Sequence, residues 1–431
     1  MRLVGGPLAA WQQRNGEATI PRCIEQLEVS GVLDNFRRLL GESDAEFRGL
    51  VFADSDLYKV IEAVAWEIAR TRTRAFDSWL DDVIALVARV QEPSGYVDTW
   101  NAFGSRHRDE AFGDDYELPS ERAYAETCAT VADLLWTWRM LLADGGAGTA
   151  RYAETIEREV HNALAAAVDA TGTRFFYATP LQQRRDHHSE ENAPRERAPW
   201  YVCACCPPNI ARTVAQLSAY VATVTDGALW LHQLADAEID LPAELGTGTV
   251  RMVTGYPADG RVEIRVEGDV VPGAELSVRI PGWSPRSTVV GPDGARERDG
   301  DGYARVLLEP GARYVLDLNL TPRLTTAHHR VDALRGAVAV ERGPVVYCVE
   351  QADLDAPFDV DDLAVLPVPI TVGERDTLVL RCRVINAADG LYGPDAATEL
   401  GDEHTVTAIP FSTWGNRAPG PMRVWLPRAP R

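Results

Sequence analysis

Lysine is nearly missing from this chain. Of the 43 lysine and arginine residues, Lys59 is the only lysine. A Schiff-base or pyridoxal mechanism would have to use Lys59, which lies in an ordinary helical pattern. The 43 basic residues are also outnumbered by 64 acidic ones, which gives a net charge of −21 at pH 7. This acidic balance argues against a protein that binds the phosphate backbone of nucleic acid.

Long apolar runs are missing as well. No stretch approaches the ~20 apolar residues that a helix needs to cross a bilayer. The first four residues are followed at once by Gly5, Gly6 and Pro7, which interrupt any apolar centre of a signal peptide. We therefore expect no membrane partner and a cytoplasmic location.

Cysteines are few, and their number is odd. Three of the seven lie close together, as Cys203, Cys205 and Cys206. An odd count with one tight cluster favours metal binding or catalysis over a framework of disulfides.

The length and the hydrophobic patterns predict several domains. A chain of 431 residues exceeds the ~250–300 residues at which a single core stops growing. Between about residues 21 and 225 the apolar spacing is helical, and it predicts about six helices. The predicted helices span residues 23–40, 57–70, 76–90, 129–142, 152–168 and 209–224.

Past residue 228 the apolar period changes to two. Alternating segments separated by Gly, Pro and Asp turns are typical of antiparallel sandwiches. A second β-rich stretch runs from about residue 336, and the Pro-rich segment 417–431 predicts a loose tail. We predict an α+β multidomain protein with a helical domain at 1–225, a β-sandwich at 226–335 and a second β-rich domain at 336–431.

The segment Cys205-Cys206-Pro207-Pro208 carries the first chemical signal. Proline is tolerated in the first turn of a helix and pushes the preceding residue towards extended geometry. Cys205 and Cys206 are therefore expected just ahead of a helix N-terminus, where free N–H groups stabilise a thiolate. A buried structural pair remains open, as does a redox pair formed by Cys203 and Cys206.

The segment Glu126-Thr127-Cys128 carries the second signal. Residues two apart on a helix point to nearly opposite sides, so both could reach one ion only if the helix begins near Thr127. A carboxylate and three thiolates from Glu126, Cys128, Cys205 and Cys206 would then form a four-ligand site that suits zinc. Alternatively, Glu126 is a solvated acid in the first turn of the helix.

Glu110 lies in an acidic segment with aromatic residues, 108–119. A carboxylate beside aromatic rings on a loop can have a raised pKa and serve as a general acid. An exposed acidic loop has the same spacing, so the segment alone leaves both interpretations open.

Together these segments resemble the β-L-arabinofuranosidases of glycoside hydrolase family 127. The resemblance runs from near the N-terminus to about residue 353, and its most specific motifs are Glu126-Thr127-Cys128 and Cys205-Cys206-Pro207-Pro208-Asn209. Further matching segments are Asn35-Phe36-Arg37, residues 54–59, Gly104-Ser105, residues 110–112 and 115–119, Phe175-Phe176-Tyr177, Pro281-Gly282-Trp283 and residues 342–347.

The resemblance implies an (α/α)₆ barrel followed by β-sandwich domains, with arabinofuranosides as the substrates. It implies a Zn²⁺ ion held by Glu126, Cys128, Cys205 and Cys206. Cys205 would also be the nucleophile, and Glu110 the acid/base. A separation of about 5–5.5 Å between two such groups gives retention of configuration. Tyr177 would contact the sugar.

The sequence departs from this family near Trp100–Gly104. Residues 91–100 resemble one family segment and Gly104-Ser105 resembles another that lies much farther along, yet here they nearly adjoin. At ~30 residues per helical hairpin with its loops, the missing piece is on the order of 150 residues. It includes the family's sugar-contacting histidine motifs, and we expect the remaining histidines, such as His107, His187 and His328, to be solvated.

We therefore expect an incomplete (α/α)₆ barrel. Each large apolar side chain left in water would cost roughly 1.5–3 kcal/mol, against a net stability of ~5–15 kcal/mol. The expected results are an unstable chain, a homo-oligomer that covers the open barrel, or a sequence read from a defective gene model. Two functions follow: a retaining glycoside hydrolase, or an impaired remnant that acts as a zinc-stabilised carbohydrate-binding or scaffold protein.

Overall fold

The structure is a computed structural model that describes residues 1–50, 52–91, 115–144, 149–186, 195–354, 358–386 and 400–429. Glu110 and the departure at Trp100–Gly104 lie outside the described residues, as do His107 and His187. None of the helices in the described ranges is both long and apolar enough to cross a membrane.

The described residues before position 216 form eight α-helices. They are α1 (Gly6–Arg14), α2 (Ile20–Val29), α3 (Val32–Leu39), α4 (Asp54–Thr71), α5 (Asp77–Val90), α6 (Thr127–Asp144), α7 (Thr149–Glu159) and α8 (Cys206–Ala215). A π-helical turn, Asn15–Thr19, joins α1 to α2, and another, Val160–Leu164, extends α7.

Two of the predicted helices differ from the observed ones. The predicted helix 23–40 is divided between α2 and α3 at Gly31, whose φ of 83° is left-handed; glycine adopts this conformation without steric cost. The predicted helix 209–224 ends at Ala215, and a 3₁₀ turn, Leu217–Tyr220, leads into a strand. Helix α1 was missed because only Leu8, Trp11 and Gln12 are buried along it, which leaves little periodic signal.

Helix α8 is the central element of the helical domain. It contacts α1, α2, α4 and α6, and all of its residues except Arg212 are buried. Ile210 and Val214 belong to one apolar cluster, while Ala211 belongs to a second cluster formed with α2–α5. The N-terminus of α8 is therefore fixed from several sides.

Parts of the helical domain leave apolar side chains in water. On α6, Trp136 is 63% exposed and Leu142 is 54% exposed, and on α5 Ile84 is 50% exposed. Such faces are what the sequence predicts for helices that lack packing partners.

The rest of the described chain is mainly β-structure, with two short strands inside the helical part. The strands are β1 (Arg2–Leu3), β2 (Gln182–Gln183), β3 (Ala222–Thr225), β4 (Ala228–Leu231), β5 (Ala237–Asp240), β6 (Thr249–Thr254), β7 (Arg261–Glu267), β8 (Glu275–Arg279), β9 (Val289–Gly291), β10 (Gly294–Arg296), β11 (Tyr303–Leu307), β12 (Arg313–Asp317), β13 (Arg323–Thr325), β14 (Ala337–Arg342), β15 (Val345–Glu350), β16 (Leu363–Val365), β17 (Thr371–Val372), β18 (Leu378–Ile385), β19 (Leu400–Pro410), β20 (Met422–Arg423) and β21 (Leu426–Pro427).

Two sheets form the first sandwich. One has the order β1-β5-β6-β7-β12-β9-β10 and the other β11-β8-β4-β3. Inward-facing residues of both sheets, such as Ile264 and Leu276, share one apolar core, as expected for alternating strands. The pairings are antiparallel except for β4 with β8, and the α+β multidomain class predicted from the sequence is confirmed.

A third sheet, β13-β14-β15-β19-β18-β16, forms the C-terminal part. The predicted loose tail is wrong over its described residues, because β20 pairs with β15 and β2, and β21 pairs with β14. Met422, Val424 and Leu426 are buried. Their spacing of two is a strand signal that the surrounding prolines obscured.

The helical domain is tied to both β-regions. β1 pairs with β5 of the first sandwich, and β2 pairs with β20 of the C-terminal sheet. Phe176, from the connection between α7 and α8, stacks on Trp414 with a centroid distance of 4.4 Å. This docking fixes the residues next to Phe176, which line the site described below.

Candidate active site and metal centre

Glu126 and Cys128 are brought to one side by the start of α6. Glu126 forms a β-bridge with Ala178, and the helix begins at Thr127. The Thr127 N–H donates to the Tyr177 carbonyl at 2.9 Å. The chain is therefore extended at Glu126 and helical at Cys128, which is the register that allows both side chains to reach one ion.

Cys205 and Cys206 lie at the N-terminus of α8. The helix begins at Cys206, and Cys205 precedes it with φ −65° and ψ −31°. The prediction that both residues lie just ahead of the helix is thus wrong for Cys206, which is the first helical residue instead of an extended one. Contacts of the buried helix override the local preference that Pro207 imposes on Cys206.

These two segments meet in one cluster. The ligand atoms of Glu126, Cys128, Cys205 and Cys206 all lie within 4.8 Å of one another. Cys206 Sγ is 3.4 Å from Cys128 Sγ and 3.8 Å from Cys205 Sγ. Glu126 Oε1 is 3.6 Å from Cys205 Sγ and 4.0 Å from Cys206 Sγ.

The spacing and chemistry of the four donors fit a tetrahedral metal ion. Zinc bonds of about 2.3 Å to sulfur and 2.0–2.2 Å to oxygen would place tetrahedral ligands about 3.6–3.8 Å apart, and the four separations given above lie around these values. Three thiolates and one carboxylate are a donor set that suits zinc. The cluster is therefore able to hold a metal ion.

Burial disfavours negatively charged side chains in this cluster. Glu126 is 4% exposed, and Cys206 is fully buried. Hydrogen bonds from the Cys205 and Cys206 thiols lower the pKa of Cys128 to about 5. Burial, together with the neighbouring Cys128, raises the pKa of Cys206 well above its ordinary value. One thiolate is thus favoured by the protein alone, while ionising all three sulfurs calls for a bound cation.

Tyrosine hydroxyls surround the cluster. Tyr124 Oη donates to Glu126 Oε2 at 2.8 Å. Tyr177 Oη lies 3.6 Å from the sulfurs of both Cys205 and Cys203. Burial and the nearby Cys205 raise the pKa of Tyr177, so its hydroxyl keeps its proton. Tyr177, which the family resemblance implies as a sugar contact, is therefore placed beside the sulfur of Cys205.

The segment that carries Tyr177 is held by Tyr201. The Tyr201 hydroxyl donates to the Phe175 carbonyl at 2.6 Å and accepts the Tyr177 N–H at 3.0 Å. Tyr201 is 8% exposed, so its ring is packed in place. The position of Tyr177 is thus fixed through its backbone as well as its side chain.

Lys59 also lies within electrostatic range of the cluster. Its Nζ donates to Asp56 at 3.0 Å. Burial works against the ammonium, yet the charges of Asp56, Cys128 and Cys205 together raise the pKa of Lys59. The helical pattern around Lys59 gave no sign of this position, because it depends on how α4 packs against α8.

A cavity of about 790 Å³ adjoins the cluster. It is lined by residues 115–124 together with Gln182, Arg184 and Ala333. Tyr124 belongs to this lining and also hydrogen bonds to Glu126, so this tyrosine connects the cavity to the cluster. Glu110, the predicted acid/base, lies outside the described residues, five positions before the lining begins.

The described chain combines a helical domain that holds a buried Glu–Cys₃ cluster with sheets that are mainly antiparallel. The model of the β-L-arabinofuranosidase GH127 catalytic domain matches residues 1–106 and 101–219. The model of the glycoside hydrolase family 127 C-terminal domain matches residues 322–427. The chain belongs to glycoside hydrolase family 127. The two catalytic-domain matches overlap at residues 101–106, which is where the sequence predicts that a family segment is missing.

Individual relatives agree with this assignment. The chain is 31% identical over 425 residues to the non-reducing end β-L-arabinofuranosidase of Bifidobacterium longum subsp. longum, covering 88% of this chain. It spans only 63% of the length of that relative. A GH127 β-L-arabinofuranosidase structure from Geobacillus stearothermophilus T6 matches with a TM-score of 0.87 at 21% identity, covering 99% of this chain and 100% of that one.

A second GH127 β-arabinofuranosidase structure matches with a TM-score of 0.85 at 20% identity, covering 99% of this chain and 96% of that one. At these identities the two structural likenesses establish the fold. They support the same succession of helical and β-rich parts that the described residues display.

Proposed function

We propose that this chain is a retaining glycoside hydrolase that acts on terminal β-L-arabinofuranosides. The observation that carries the proposal is the convergence of Glu126 with three cysteine sulfurs beside Tyr177, in a chain that belongs to family 127. The family relatives named above are arabinofuranosidases, which supports an arabinofuranoside, free or in an oligosaccharide, as the substrate.

In this proposal the metal ion is Zn²⁺, and Glu126, Cys128, Cys205 and Cys206 hold it. Bound zinc would keep the three thiols deprotonated at neutral pH. Tyr124 orients Glu126 through its 2.8 Å hydrogen bond, as ligand carboxylates require. The start of α8 holds Cys206 against Cys128 across the cluster.

Cys205 is the proposed nucleophile, and Glu110 the acid/base. The Cys205 sulfur attacks the anomeric carbon while the glycosidic C–O bond breaks, and Glu110 donates its proton to the leaving oxygen. A water molecule then attacks the same carbon, Glu110 takes the water proton, and the C–S bond breaks. Two inversions give net retention, and the Tyr177 hydroxyl, 3.6 Å from the Cys205 sulfur, is the proposed contact to the sugar.

The test is arabinose release from a nitrophenyl β-L-arabinofuranoside. We expect turnover by the unmodified chain and its loss in Cys205→Ala and in Glu110→Gln. Cys348→Ala is a matched control, since this buried cysteine lies in β15 of the C-terminal sheet. NMR of the first sugar formed should show the β-anomer. Full activity of Cys205→Ala would refute the assignment of the nucleophile.

A second candidate function is favoured by the family segment that the sequence lacks near Trp100–Gly104, and the chain spans 63% of the length of its curated relative. In this alternative the chain is a zinc-stabilised carbohydrate-binding or scaffold protein without catalysis. One equivalent of zinc and no turnover on a panel of furanosides would favour this candidate. The exposed Trp136 and Leu142 on α6 support a homo-oligomer in either case, which size-exclusion chromatography would detect.

A further inference from the structure

Asn209 contacts a cluster sulfur from outside the four proposed ligands. It lies one helical turn after Cys206 on α8, and it is 5% exposed. Its Nδ2 is 3.0 Å from Cys128 Sγ, and its Oδ1 accepts a hydrogen bond from Arg212 Nε at 2.8 Å. One buried amide thus joins a sulfur on α6 to an arginine on α8.

Arg212 settles which way the Asn209 amide faces. A guanidinium has donors and no acceptor, so the oxygen of the amide must face Arg212. The NH₂ group of the amide must then face Cys128, which receives an N–H. The Cys128 sulfur therefore accepts a hydrogen bond from this amide, as a metal-bound thiolate also does.

Glu62 anchors the other end of this chain of contacts. Arg212 Nη1 lies 2.9 Å from Glu62 Oε2 on α4, and the Arg212 side chain is 22% exposed. Arg212 is also the one residue of α8 that is not buried. The contacts therefore run from Glu62 through Arg212 and Asn209 to Cys128, and they link three helices.

The other sulfurs have different neighbours. Cys206 Sγ lies 3.7 Å from the Tyr177 carbonyl, which accepts hydrogen bonds and does not donate them. Cys205 Sγ lies beside the Tyr177 hydroxyl and Cys203. Among the contacts described for the cluster, the buried amide donor of Asn209 serves Cys128.

We propose that Asn209 is a positioning residue that holds the Cys128 sulfur ready for the metal ion, and that Arg212, anchored by Glu62, sets the orientation of its amide. The inference rests on the metal site of the proposed function. Its consequence is that affinity for the metal depends on residues that do not bind it, as is usual for groups that orient metal ligands.

The test measures metal binding apart from turnover. Zn²⁺ affinity is measured by competition with a chromophoric chelator, and the thiolate-to-Co²⁺ charge-transfer band is recorded on the cobalt-loaded protein. We expect Asn209→Ala to weaken Zn²⁺ binding about 10- to 100-fold and to shift the band. Arg212→Gln should have a smaller effect in the same direction.

The double variant Asn209→Ala/Arg212→Gln gives the sharpest result. Because Arg212 acts through Asn209, the double variant should bind Zn²⁺ no more weakly than Asn209→Ala alone. Arg70→Gln is the matched control, since it removes another arginine–glutamate pair from α4, with Glu67, and should leave binding unchanged. If Asn209→Ala does not fold, Asn209→Ser and Arg212→Lys replace the two single variants.

Two results would overturn the proposal in distinguishable ways. If the unmodified chain binds Zn²⁺ but Asn209→Ala binds it equally well with an unshifted cobalt band, the positioning role is refuted while the metal site stands. If the unmodified chain takes up no metal, both the positioning role and the metal site of the proposed function fall.

Discussion

Two buried polar clusters can be compared in this molecule. One is the Glu–Cys₃ cluster, and the other lies where the helical domain meets the first sandwich. In the interface cluster, Glu157 on α7 pairs with Arg279 on β8, with side chains 2% and 0% exposed. Tyr256 Oη also donates to Glu157 at 2.7 Å, and Arg279 Nε donates to the His232 carbonyl.

The difference lies in how charge is balanced. Burial would raise the pKa of Glu157, but the charge of Arg279 overcomes this and lowers it, so both ions persist without a ligand. The described contacts of the Glu–Cys₃ cluster are tyrosine hydroxyls, the Tyr177 carbonyl, the Asn209 amide and other sulfurs. Lys59 is the described cation that acts on it, and it is already paired with Asp56. The charges of the interface cluster balance each other in the folded protein, whereas the Glu–Cys₃ cluster needs a bound cation to balance its charge once its thiols ionise.

The largest expected effect comes from breaking the interface pair. Glu157→Ala leaves the Arg279 guanidinium buried without its partner, so the free energy of unfolding should fall by about 3–5 kcal/mol. Urea denaturation measures the loss. Removing both charges in Glu157→Leu/Arg279→Met should recover most of it. A double variant as unstable as Glu157→Ala would contradict the charge-balance explanation.

Metal removal should affect the other cluster. With zinc at a hundred times its dissociation constant, binding stabilises the folded chain by about 2.7 kcal/mol, which a chelator removes. Thermal melting with and without chelator checks this result. Cys128→Ser should show a smaller difference between the two conditions than the unmodified chain, because it keeps three of the four ligands, while Glu157→Ala should keep the full response to zinc. Equal melting of the unmodified chain in both conditions would contradict a metal-balanced cluster.

A smaller effect is expected from pH. Burial and the charge of Arg279 lower the pKa of His232 from 6.5 to about 3. Below pH 6.5 the unfolded chain therefore binds a proton that the folded chain does not, so stability falls as the pH falls. Between pH 8 and pH 5.5 the loss is about 1.4 kcal/mol for this histidine.

His232→Gln isolates that contribution. The variant should lose less stability over the same pH range than the unmodified chain, as measured by urea denaturation at both pH values. Desolvation also lowers the pKa of the half-buried His161, so a slope of the same sign remains. Identical slopes in the variant and the unmodified chain would refute the role of His232.

The smallest effect is expected at an exposed pair. Arg74 and Asp77 form an ion pair at 2.9 Å, with side chains 90% and 37% exposed. Solvent screens such pairs, so Arg74→Ala should leave the urea midpoint unchanged. A loss comparable to that of Glu157→Ala would show that burial does not explain the contrast between clusters.

The sequence was most informative where chemistry is local. A shared site for Glu126 and Cys128 was predicted only for a helix that begins near Thr127, and the structure has that boundary. The alternation beyond residue 228 likewise predicted the sandwich. In both cases the signal lies within a few consecutive residues, and tertiary packing did not have to be known.

Long-range partners could not be predicted in this way. Glu157 and Arg279 are 122 positions apart, and neither stands out in its own segment. Asn209 is the last residue of the Cys-Cys-Pro-Pro-Asn motif, yet its proposed role depends on how α8 packs against α6. The strands near Met422 were missed because prolines obscure the alternation that only pairing with β14 and β15 makes visible.

X-ray absorption at the zinc edge of the zinc-loaded chain tests the central claim most directly. We predict one bound zinc with three sulfur neighbours at about 2.3 Å and one oxygen at about 2.0–2.2 Å. In Cys128→Ser, one sulfur should be lost from that shell. A zinc surrounded only by oxygen or nitrogen, or a folded chain that takes up no zinc, would contradict the account.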